Sequence, residues 1–334
     1  IRVFILNPYF LGNAVYDNIN RLSETDIHQV LGEHLGASYV DYRSEWSAVS
    51  PTNIPSFPLH IDFELKDMCN QSCVMCPRNE EAHPDINYQL DARTVLSEDS
   101  FKKVIDEGAI NGLRSVNLGG FAEPLVQTRC LDMVDYARSQ GIIDTRIITN
   151  GLLMHRHMDA IFDSGLVNLF VSLDAYNPET YQAQRGPGFA KIKNSLLELL
   201  EEKKRRGSVL PIVRVSLVDM KSNHDEIEDF VKYWGPKVDF IDIQVFDDFN
   251  VDITQPFDKG QTKKWDCRSP FARLSVMSNG EVLPCCNFFG KNIPVGNIEE
   301  NTISEIWMSK TVRSVRDGIM NDQLDNCSIC QRIG

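Results

Sequence analysis

The sequence lacks long apolar runs and is short of basic residues. No stretch reaches the roughly eighteen consecutive apolar residues of a membrane-spanning helix, so no membrane span is expected. The 34 Lys and Arg residues face 47 Asp and Glu residues, which gives a net charge of −13. Because nucleic-acid binding depends on basic surface, nucleic acid is not expected as a partner. Acidity that serves solubility is a simpler interpretation than attraction of a cationic substrate.

No secretory signal is expected either, since the first eight residues form too short an apolar stretch for a signal peptide. Cysteine, in contrast, is frequent: the chain has nine, and most of them lie in two clusters. Without a signal peptide they predict a reducing, cytoplasmic location. Their clustering favours metal binding over disulfides.

The first cluster comprises Cys69, Cys73 and Cys76, with the spacing C-x3-C-x2-C. Soft thiolate ligands select iron–sulfur clusters, zinc or Cu(I). A closed zinc site needs a fourth protein ligand, and His83 is the one nearby candidate. A [4Fe–4S] cluster on three cysteines instead leaves one iron open. Taken alone, the triplet suits zinc and an iron–sulfur cluster about equally.

Strands alternate with helices after residue 59, a pattern typical of a parallel α/β sheet. The predicted strands cover residues 59–65, 115–118, 145–149, 167–173, 212–218 and 238–245. Helices are predicted between them, for example after Ser97 and after Asn177, two favourable N-cap residues. The predicted fold class is therefore α/β, a partial (β/α)6 TIM-like barrel.

Three domains are expected along the chain. Residues 1–58 are predicted as a short α/β cap of strand, helix and strand. Residues 59–250 form the barrel core, and residues 251–334 form a small C-terminal domain that contains the second group of cysteines.

Three further motifs stand at the carboxyl ends of predicted strands. They are Gly119-Gly120-Phe-Ala-Glu123-Pro124, Ile147-Ile-Thr-Asn150-Gly151 and Val171-Ser172-Leu-Asp174-Ala. Ligands of parallel α/β folds bind beyond these strand ends. In this order and spacing, the motifs and the cysteine triplet resemble the radical SAM superfamily, whose members use S-adenosylmethionine (SAM). The resemblance covers roughly residues 59–245 as a core.

The resemblance implies that Cys69, Cys73 and Cys76 ligate a [4Fe–4S] cluster whose open iron binds SAM. One electron from a reducing partner such as flavodoxin or ferredoxin then cleaves SAM into methionine and a 5′-deoxyadenosyl radical. That radical removes a hydrogen atom from an unactivated carbon of the substrate. The protein's task is to position the reactants and to exclude water and oxygen.

The same resemblance implies seven SAM contacts, namely Met75, Gly119, Gly120, Glu123, Ser172, Asp174 and Arg185. The two glycines let the backbone approach the methionyl part closely, because they have no Cβ. Glu123 would accept hydrogen bonds from the SAM ammonium. Arg185 would pair with the SAM carboxylate.

The remaining three contacts are implied more generally. Ser172 and Asp174 lie where the family contacts the carboxylate and the ribose of SAM. Met75 stands at a position that is often aromatic and shields the adenine, and a methionine packs there less rigidly.

The second group of cysteines lies near the C-terminus and consists of Cys267, Cys285, Cys286, Cys327 and Cys330. The spacing from Cys267 through Gly280 to Cys285 resembles the opening of twitch and SPASM domains, with a hairpin turning at residues 278–280. Residues 303–307 resemble the helix that those domains carry next. Cys267, Cys285, Cys327 and Cys330 would bind one auxiliary [4Fe–4S] cluster with no open iron, although four thiolates also suit zinc.

A fully ligated auxiliary cluster can accept an electron from a substrate radical. This arrangement resembles the twitch-type aminocyclitol dehydrogenases, such as 2-deoxy-scyllo-inosamine dehydrogenase. The resemblance implies a small-molecule substrate, an aminocyclitol or a sugar, whose alcohol is oxidised to a ketone. A substrate-binding arginine of that family has no match in residues 244–250, which favours a different, amine-bearing ligand.

Alternatives stay open at this point. Epimerisation of a sugar needs a hydrogen donor such as Cys286 or Cys130, although Cys130 on a predicted helix is expected to be a small buried residue. A peptide maturase usually carries a recognition domain, for which residues 1–58 are short. An electron-transfer or iron-sensing module would not need the SAM motifs. Candidate bases for alcohol oxidation are Asp219, Asp247 and Asp248.

Overall fold

A computed structural model describes residues 24–79, 81, 93–245, 267–285 and 293–321. The chain divides into two compact units. The first unit draws on Ile1–His34, Cys69–Gln89 and Ile148–Asp258, and the second on Leu35–Met68, Leu90–Ile147 and Lys259–Gly334. No helix of the described residues is long and apolar enough to cross a membrane.

The helices of the described residues are, in chain order, α1 (Glu24–Leu35), α2 (Ala37–Ala48), α3 (Glu98–Asn111), α4 (Cys130–Ser139), α5 (Met158–Asp163), α6 (Pro178–Arg185), α7 (Phe189–Arg206), α8 (Ile227–Trp234), α9 (Ser269–Ala272), α10 (Ile303–Trp307) and α11 (Lys310–Met320). The strands are β1 (His60–Phe63), β2 (Ser115–Leu118), β3 (Asp144–Thr149), β4 (Asn168–Ser172), β5 (Ile212–Asp219), β6 (Phe240–Val245), β7 (Arg273–Val276), β8 (Glu281–Leu283) and β9 (Gly296–Asn297).

Each unit contains parallel strands in sequential order. In the first unit, β5 lies between β4 and β6 and pairs with both in parallel. In the second unit, the order is β3, β2, β1 and β7, again all parallel. The antiparallel strands β8 and β9 extend this second group beyond β7. The predicted α/β class with parallel strands is confirmed, and each of the six predicted core strands overlaps an observed one.

The parallel strands are buried on both faces, as the covering helices of an α/β fold require. In β1, Ile61 and Phe63 are at most 1% exposed, and the Phe63 ring meets the Phe101 ring of α3 at 4.8 Å between centroids. The alternate residues of β1, His60 and Asp62, are also buried. One face of this strand is therefore apolar and packs on helices, whereas the other is polar and hydrogen-bonded.

Local signals explain where several helices begin. Ser97 caps α3 by accepting a hydrogen bond from the Ser100 amide at 3.0 Å, as predicted. Asn177 precedes α6 with Pro178 at the first helical position, but its side chain makes no capping bond. The Glu226 carboxylate instead accepts the Asn177 amide at 3.0 Å. A carboxylate distant in sequence thus replaces the local cap.

The described part of the predicted N-terminal cap is helical. It contains α1 and α2, and the strand-like pairing within it is an isolated bridge between Ser50 and Asn53. The first predicted strand lies outside the described residues. The second strand expected before residue 58 does not form there, because α2 occupies Ala37–Ala48 and buries Tyr39 and Tyr42.

The C-terminal hairpin forms as predicted. Strands β7 and β8 pair antiparallel across a turn in which Gly280 has a φ of 84°, a left-handed conformation that favours glycine. Helix α10 begins with a capping box between Thr302 and Glu305. Its Trp307 is fully buried and donates a hydrogen bond to the Pro55 carbonyl at 2.8 Å.

Candidate functional site

The three cysteines of the triplet lie on one compact loop of the first unit, and none of the three forms a disulfide. Backbone turns shape the loop: the Cys76 amide donates to the Cys73 carbonyl at 3.1 Å, and the Asn79 amide donates to the Cys76 carbonyl at 2.9 Å. Cys73 is buried, whereas Cys69 and Cys76 are partly exposed. The loop is therefore ordered by its own backbone and presents its thiols together.

Two side chains direct N–H groups at the cysteine sulfurs. The Asn150 amide nitrogen lies 3.9 Å from Cys69 Sγ, and Arg185 Nη1 lies 3.7 Å from Cys73 Sγ. Asn150 also donates to the Asn70 side-chain oxygen at 2.7 Å, so it holds the loop as well as facing its sulfur. Hydrogen bonds of this kind stabilise negative charge on sulfur.

Burial raises the pKa of the Cys73 thiol to about 11, against the lowering effect of Arg185. The neighbouring Cys76 and Cys69 thiols raise the pKa further, which shows that the three sulfurs lie within electrostatic range of one another. A thiol must lose its proton to become a metal ligand. Loading of this loop with metal therefore releases protons.

This donor set fits an iron–sulfur cluster. Three soft sulfur ligands with N–H donors around them match the needs of such a group. No three His, Cys, Asp or Glu side chains are placed to hold one metal ion in the part of the chain that the structure describes. A [4Fe–4S] cluster binds each thiolate through a different iron, so its ligands lie farther apart than those of a single ion.

Asp174 and Arg185 form a buried ion pair beside the loop. Arg185 Nε donates to Asp174 Oδ2 at 2.6 Å, and the Val218 amide donates to Asp174 Oδ1 at 2.8 Å. The two side chains are 0% and 10% exposed, respectively. Burial alone would lower the pKa of Arg185, but Asp174 and Cys73 hold it above its usual range. Both carboxylate oxygens of Asp174 are thus engaged within the chain.

Met75 packs where the loop meets the end of β5. It is 8% exposed and belongs to a buried cluster with Cys73 and Met220, against which Val218 also packs. Asp219, one of the predicted candidate bases, lies between Val218 and Met220 in the chain. Its side chain is buried at 4% exposure, and its Oδ1 lies 2.9 Å from His224 Nδ1.

The glycine-rich motif belongs to the second unit. Gly119 has a φ of 95°, and a Cβ there would lie 2.7 Å from Pro124 Cγ, so only glycine fits. Gly120 is exposed, and a Cβ on it would meet its nearest neighbour at 4.0 Å. Glu123 is 2% exposed and accepts the Leu125 amide at 3.2 Å. The motif is rigid before any ligand binds.

The buried carboxylate of Glu64 holds the same motif through hydrogen bonds to its backbone. Glu64 Oε2 accepts the amides of Phe121 and Ala122 at 2.9 and 3.0 Å. Phe121 and Ala122 separate Gly120 from Glu123 in the motif, and these two hydrogen bonds hold that part of the loop.

Two cysteines of the second group, Cys267 and Cys285, lie in the second unit. Neither forms a disulfide, and both are partly exposed. Cys285 follows β8, and its carbonyl lies 3.0 Å from the Ser275 hydroxyl of β7. The hairpin therefore fixes the backbone of a predicted cluster ligand.

The model of the radical SAM superfamily matches residues 64–233, just over half of the chain. The chain belongs to the radical SAM superfamily. A second model, the SPASM iron–sulfur cluster-binding domain, matches residues 267–332. The chain is thus a radical SAM enzyme, and the expected cofactors, a SAM-binding [4Fe–4S] cluster and an auxiliary [4Fe–4S] cluster, are confirmed at the family level.

Individual relatives are more distant. A GTP 3′,8-cyclase of Thermodesulfovibrio yellowstonii is 30% identical over 190 residues, which cover 55% of this chain and 56% of that protein. The chain spans between half and two thirds of the length of this relative and of the GTP 3′,8-cyclases of Alkaliphilus metalliredigens and Alkaliphilus oremlandii. Among the three sequences, aligned identity is 26–30%.

Two solved structures share the fold. Streptococcus suis SuiB bound to the precursor peptide SuiA has a TM-score of 0.65 at 17% identity, and the match covers 83% of this chain and 71% of that one. BtrN in complex with AdoMet and 2-DOIA has a TM-score of 0.55 at 18% identity, covering 82% and 93% of the two chains.

Several predicted site residues of this radical SAM chain lie outside the described residues: Asp247, Asp248, Cys286, Cys327, Cys330 and the zinc candidate His83. Ser172 is partly buried at the end of β4, opposite Ser216. Cys130 opens α4 with 0% exposure, as predicted for a small buried residue.

Sequence reasoning missed two sets of residues. Asn150 stands in a motif that the sequence singled out without giving this side chain a role. The second set is a hydrogen-bonded group on the polar face of the second unit, in which Asp62 lies between His60, Asn117 and Arg273. Polar residues alternating with apolar ones in β1 were the available signal.

Proposed function

We propose that this enzyme oxidises an alcohol of a small polar molecule, an aminocyclitol or a sugar, to a ketone. The observation that carries the proposal is the presence of four cysteines, Cys267, Cys285, Cys327 and Cys330, within the matched iron–sulfur domain. Four thiolates complete the coordination of one [4Fe–4S] cluster, which leaves that cluster free to take up an electron rather than substrate.

Cys69, Cys73 and Cys76 are the proposed ligands of the other cluster. When bound, this cluster together with SAM would provide the radical that removes one hydrogen atom from a carbon of the substrate. The auxiliary cluster would accept one electron. Oxidation of an alcohol to a ketone releases two hydrogens, so one proton remains for the chain itself. We assign that proton to a carboxylate at the end of β6, Asp247 or Asp248.

Buried polar groups on the strands support a polar substrate. In the first unit, Arg214 donates to Asp242 at 2.8 Å, and Gln244 donates to the same carboxylate at 2.7 Å. In the second unit, Asp62 accepts from Asn117 at 3.0 Å. Faces lined by paired donors and acceptors suit a molecule with several hydroxyl or amine groups better than an apolar one.

Other members of the family suggest two further candidates. Identity to a GTP 3′,8-cyclase over about half of the chain favours a nucleotide substrate as the second candidate. Peptide modification is supported only by the shared fold with a peptide-bound enzyme. Sugar epimerisation with Cys130 as hydrogen donor is disfavoured, because that thiol is fully buried; Cys286 is the remaining donor candidate.

The proposal also includes three expectations from the sequence. They are domain boundaries at residues 58 and 250, a cytoplasmic location, and a flavodoxin or ferredoxin as electron donor. They rest on the sequence pattern and on the need of the chemistry for a low-potential reductant.

The test is formation of 5′-deoxyadenosine by anaerobically reconstituted, reduced protein with separate panels of aminocyclitols, sugars, GTP and peptides. A burst with a cyclitol or a sugar, together with a ketone product, supports the proposal. A burst restricted to GTP moves the assignment to nucleotide cyclisation, and a burst restricted to peptides moves it to peptide modification.

A further inference from the structure

Helix α6 meets the cysteine loop at more than one point, and all of these contacts lie within the first unit. Gln71 Nε2 donates to the Tyr181 hydroxyl at 2.7 Å. The Val74 amide donates to the Gln184 carbonyl at 2.9 Å. The loop is thus attached to the helix on both sides of Cys73.

Arg185, the last residue of α6, makes the third contact. Its Nε and Nη2 atoms bind Asp174 Oδ2, and its Nη1 lies 3.7 Å from Cys73 Sγ. A guanidinium presents donors in a fixed fork, so one edge can hold a carboxylate while another N–H points at a sulfur. An ammonium group carries its donors on one nitrogen and lacks the planar fork, so it would not reproduce this arrangement.

Asp174 is held in an unusual backbone conformation. Its φ is 60°, and it is the only non-glycine residue with positive φ among the described residues. Such a conformation is strained for a residue with a side chain and persists where the surroundings impose it. The Val218 amide on Oδ1 and the Asn223 side chain on the Asp174 carbonyl, at 2.8 and 2.7 Å, fix it here. These contacts set the carboxylate in one orientation towards Arg185.

We propose that the Asp174–Arg185 pair sets the reduction potential of the cluster on this loop, because the Arg185 N–H directed at the Cys73 sulfur raises that potential and the negative charge of Asp174 lowers it. The inference rests on the proposed ligation by Cys73. Hydrogen bonds to ligand sulfurs and nearby charge are among the determinants of iron–sulfur potentials. A positive N–H donor stabilises the more negative, reduced cluster, so Arg185 makes reduction easier before SAM binds.

Asp174 and Arg185 then have opposite effects on the reduction potential of this cluster. Arg185→Lys keeps the positive charge but loses the N–H directed at sulfur, which lowers the potential. Asp174→Asn removes the negative charge that compensates Arg185, which raises it. A hydrogen bond to a charged group contributes about 1.5–3 kcal/mol, so the ratio of reduced to oxidised cluster should change about tenfold or more at a fixed potential.

The experiment is a potentiometric titration of the reconstituted, SAM-free full-length enzyme, followed by electron paramagnetic resonance. The cluster on the cysteine loop is recognised as the one whose signal changes when SAM is added afterwards. The auxiliary cluster serves as an internal reference. Arg214→Lys is the matched control, because Arg214 is also buried in the first unit and paired with an acid, Asp242, at 2.8 Å.

Opposite shifts for R185K and D174N, with none for R214K, support the proposal. Shifts of the same sign, no shift, or an effect seen only with SAM present overturn it. If R185K does not retain iron, D174N decides alone, since a rise supports the proposal and a fall or no change refutes it. A wild-type enzyme without any SAM-responsive cluster would instead refute the proposed function.

Discussion

Gly119 and Gly120 are adjacent but have different physical roles. Gly119 is required by its positive φ and by Pro124, which leaves no space for a Cβ. Gly120 has ordinary φ and open space around its Cα. A requirement for glycine at position 120 would therefore come from a ligand rather than from the fold.

Substituting these glycines one at a time separates the two roles. Gly119→Ala should destabilise the protein by about 1–3 kcal/mol, measured by chemical unfolding, because it forces alanine into a strained conformation beside a proline ring. Gly120→Ala should change stability by less than about 0.5 kcal/mol but weaken SAM binding. A Gly119→Ala variant as stable as the wild type would contradict this account.

His60 makes stability depend on pH in a defined window. Burial, together with the nearby Arg273 charge, lowers its pKa from 6.5 to about 4, so the folded protein holds it neutral. In the unfolded chain His60 binds a proton at its ordinary pKa. The contribution of His60 to the free energy of unfolding is therefore complete above pH 6.5 and is lost as the pH falls towards 4. Burial raises the pKa of Asp62, but the Arg273 charge and other partners lower it by more. The Asp62 carboxylate therefore titrates below the pH window of His60.

We therefore predict that the metal-free protein loses about 2 kcal/mol of unfolding free energy between pH 7 and pH 5 through this residue. Urea unfolding of the wild type and of His60→Gln at both pH values measures the effect. The variant should show a shallower dependence on pH, since glutamine does not titrate. Equal slopes in the two proteins would show that His60 is not held neutral.

At the scale of elements, the hairpin of β7 and β8 links β1, with which β7 pairs, to Cys285, a proposed ligand of the auxiliary cluster. Ser275 in β7 lies within hydrogen-bond distance of both the Cys285 carbonyl, at 3.0 Å, and Asp62 Oδ2, at 3.3 Å. This places a strand residue between the polar face of β1 and the loop that carries Cys285.

Ser275→Ala should reduce occupancy of the auxiliary cluster, because it frees the backbone of a ligand. Iron content and electron paramagnetic resonance measure this directly when Cys69, Cys73 and Cys76 are replaced by alanine, so that one cluster remains. Ser278→Ala, a buried serine in the turn of the same hairpin, is the control. Unchanged iron in the Ser275 variant would remove this residue from the account.

Elements with strong local signals were predictable, whereas long-range partners were not. The parallel strands follow from buried apolar runs, and α3 follows from its Ser97 cap. The cap of α6 by Glu226 depends on a residue about fifty positions away, which no local pattern indicates. Pairing of Asp174 with Arg185 likewise depends on how β4 and α6 fold back, so the sequence could suggest Arg185 as a charge partner without showing which charge it meets.

At the scale of the whole molecule, the chain carries two groups of cysteines. Three cysteines precede the SAM motifs, and five lie in the C-terminal iron–sulfur domain, of which four are the proposed ligands of one auxiliary cluster. Family membership establishes radical SAM chemistry. We propose in addition that the auxiliary cluster accepts one electron from the substrate, so that the reaction is a net oxidation, whereas epimerisation is redox-neutral.

The most direct test is the ratio of ketone to 5′-deoxyadenosine formed from an aminocyclitol or sugar that the panel identifies. The account predicts one ketone for each 5′-deoxyadenosine in the wild type. It also predicts 5′-deoxyadenosine without ketone in Cys285→Ala and neither product in Cys73→Ala. Formation of 5′-deoxyadenosine with an epimer or a cyclised product in place of a ketone would contradict it.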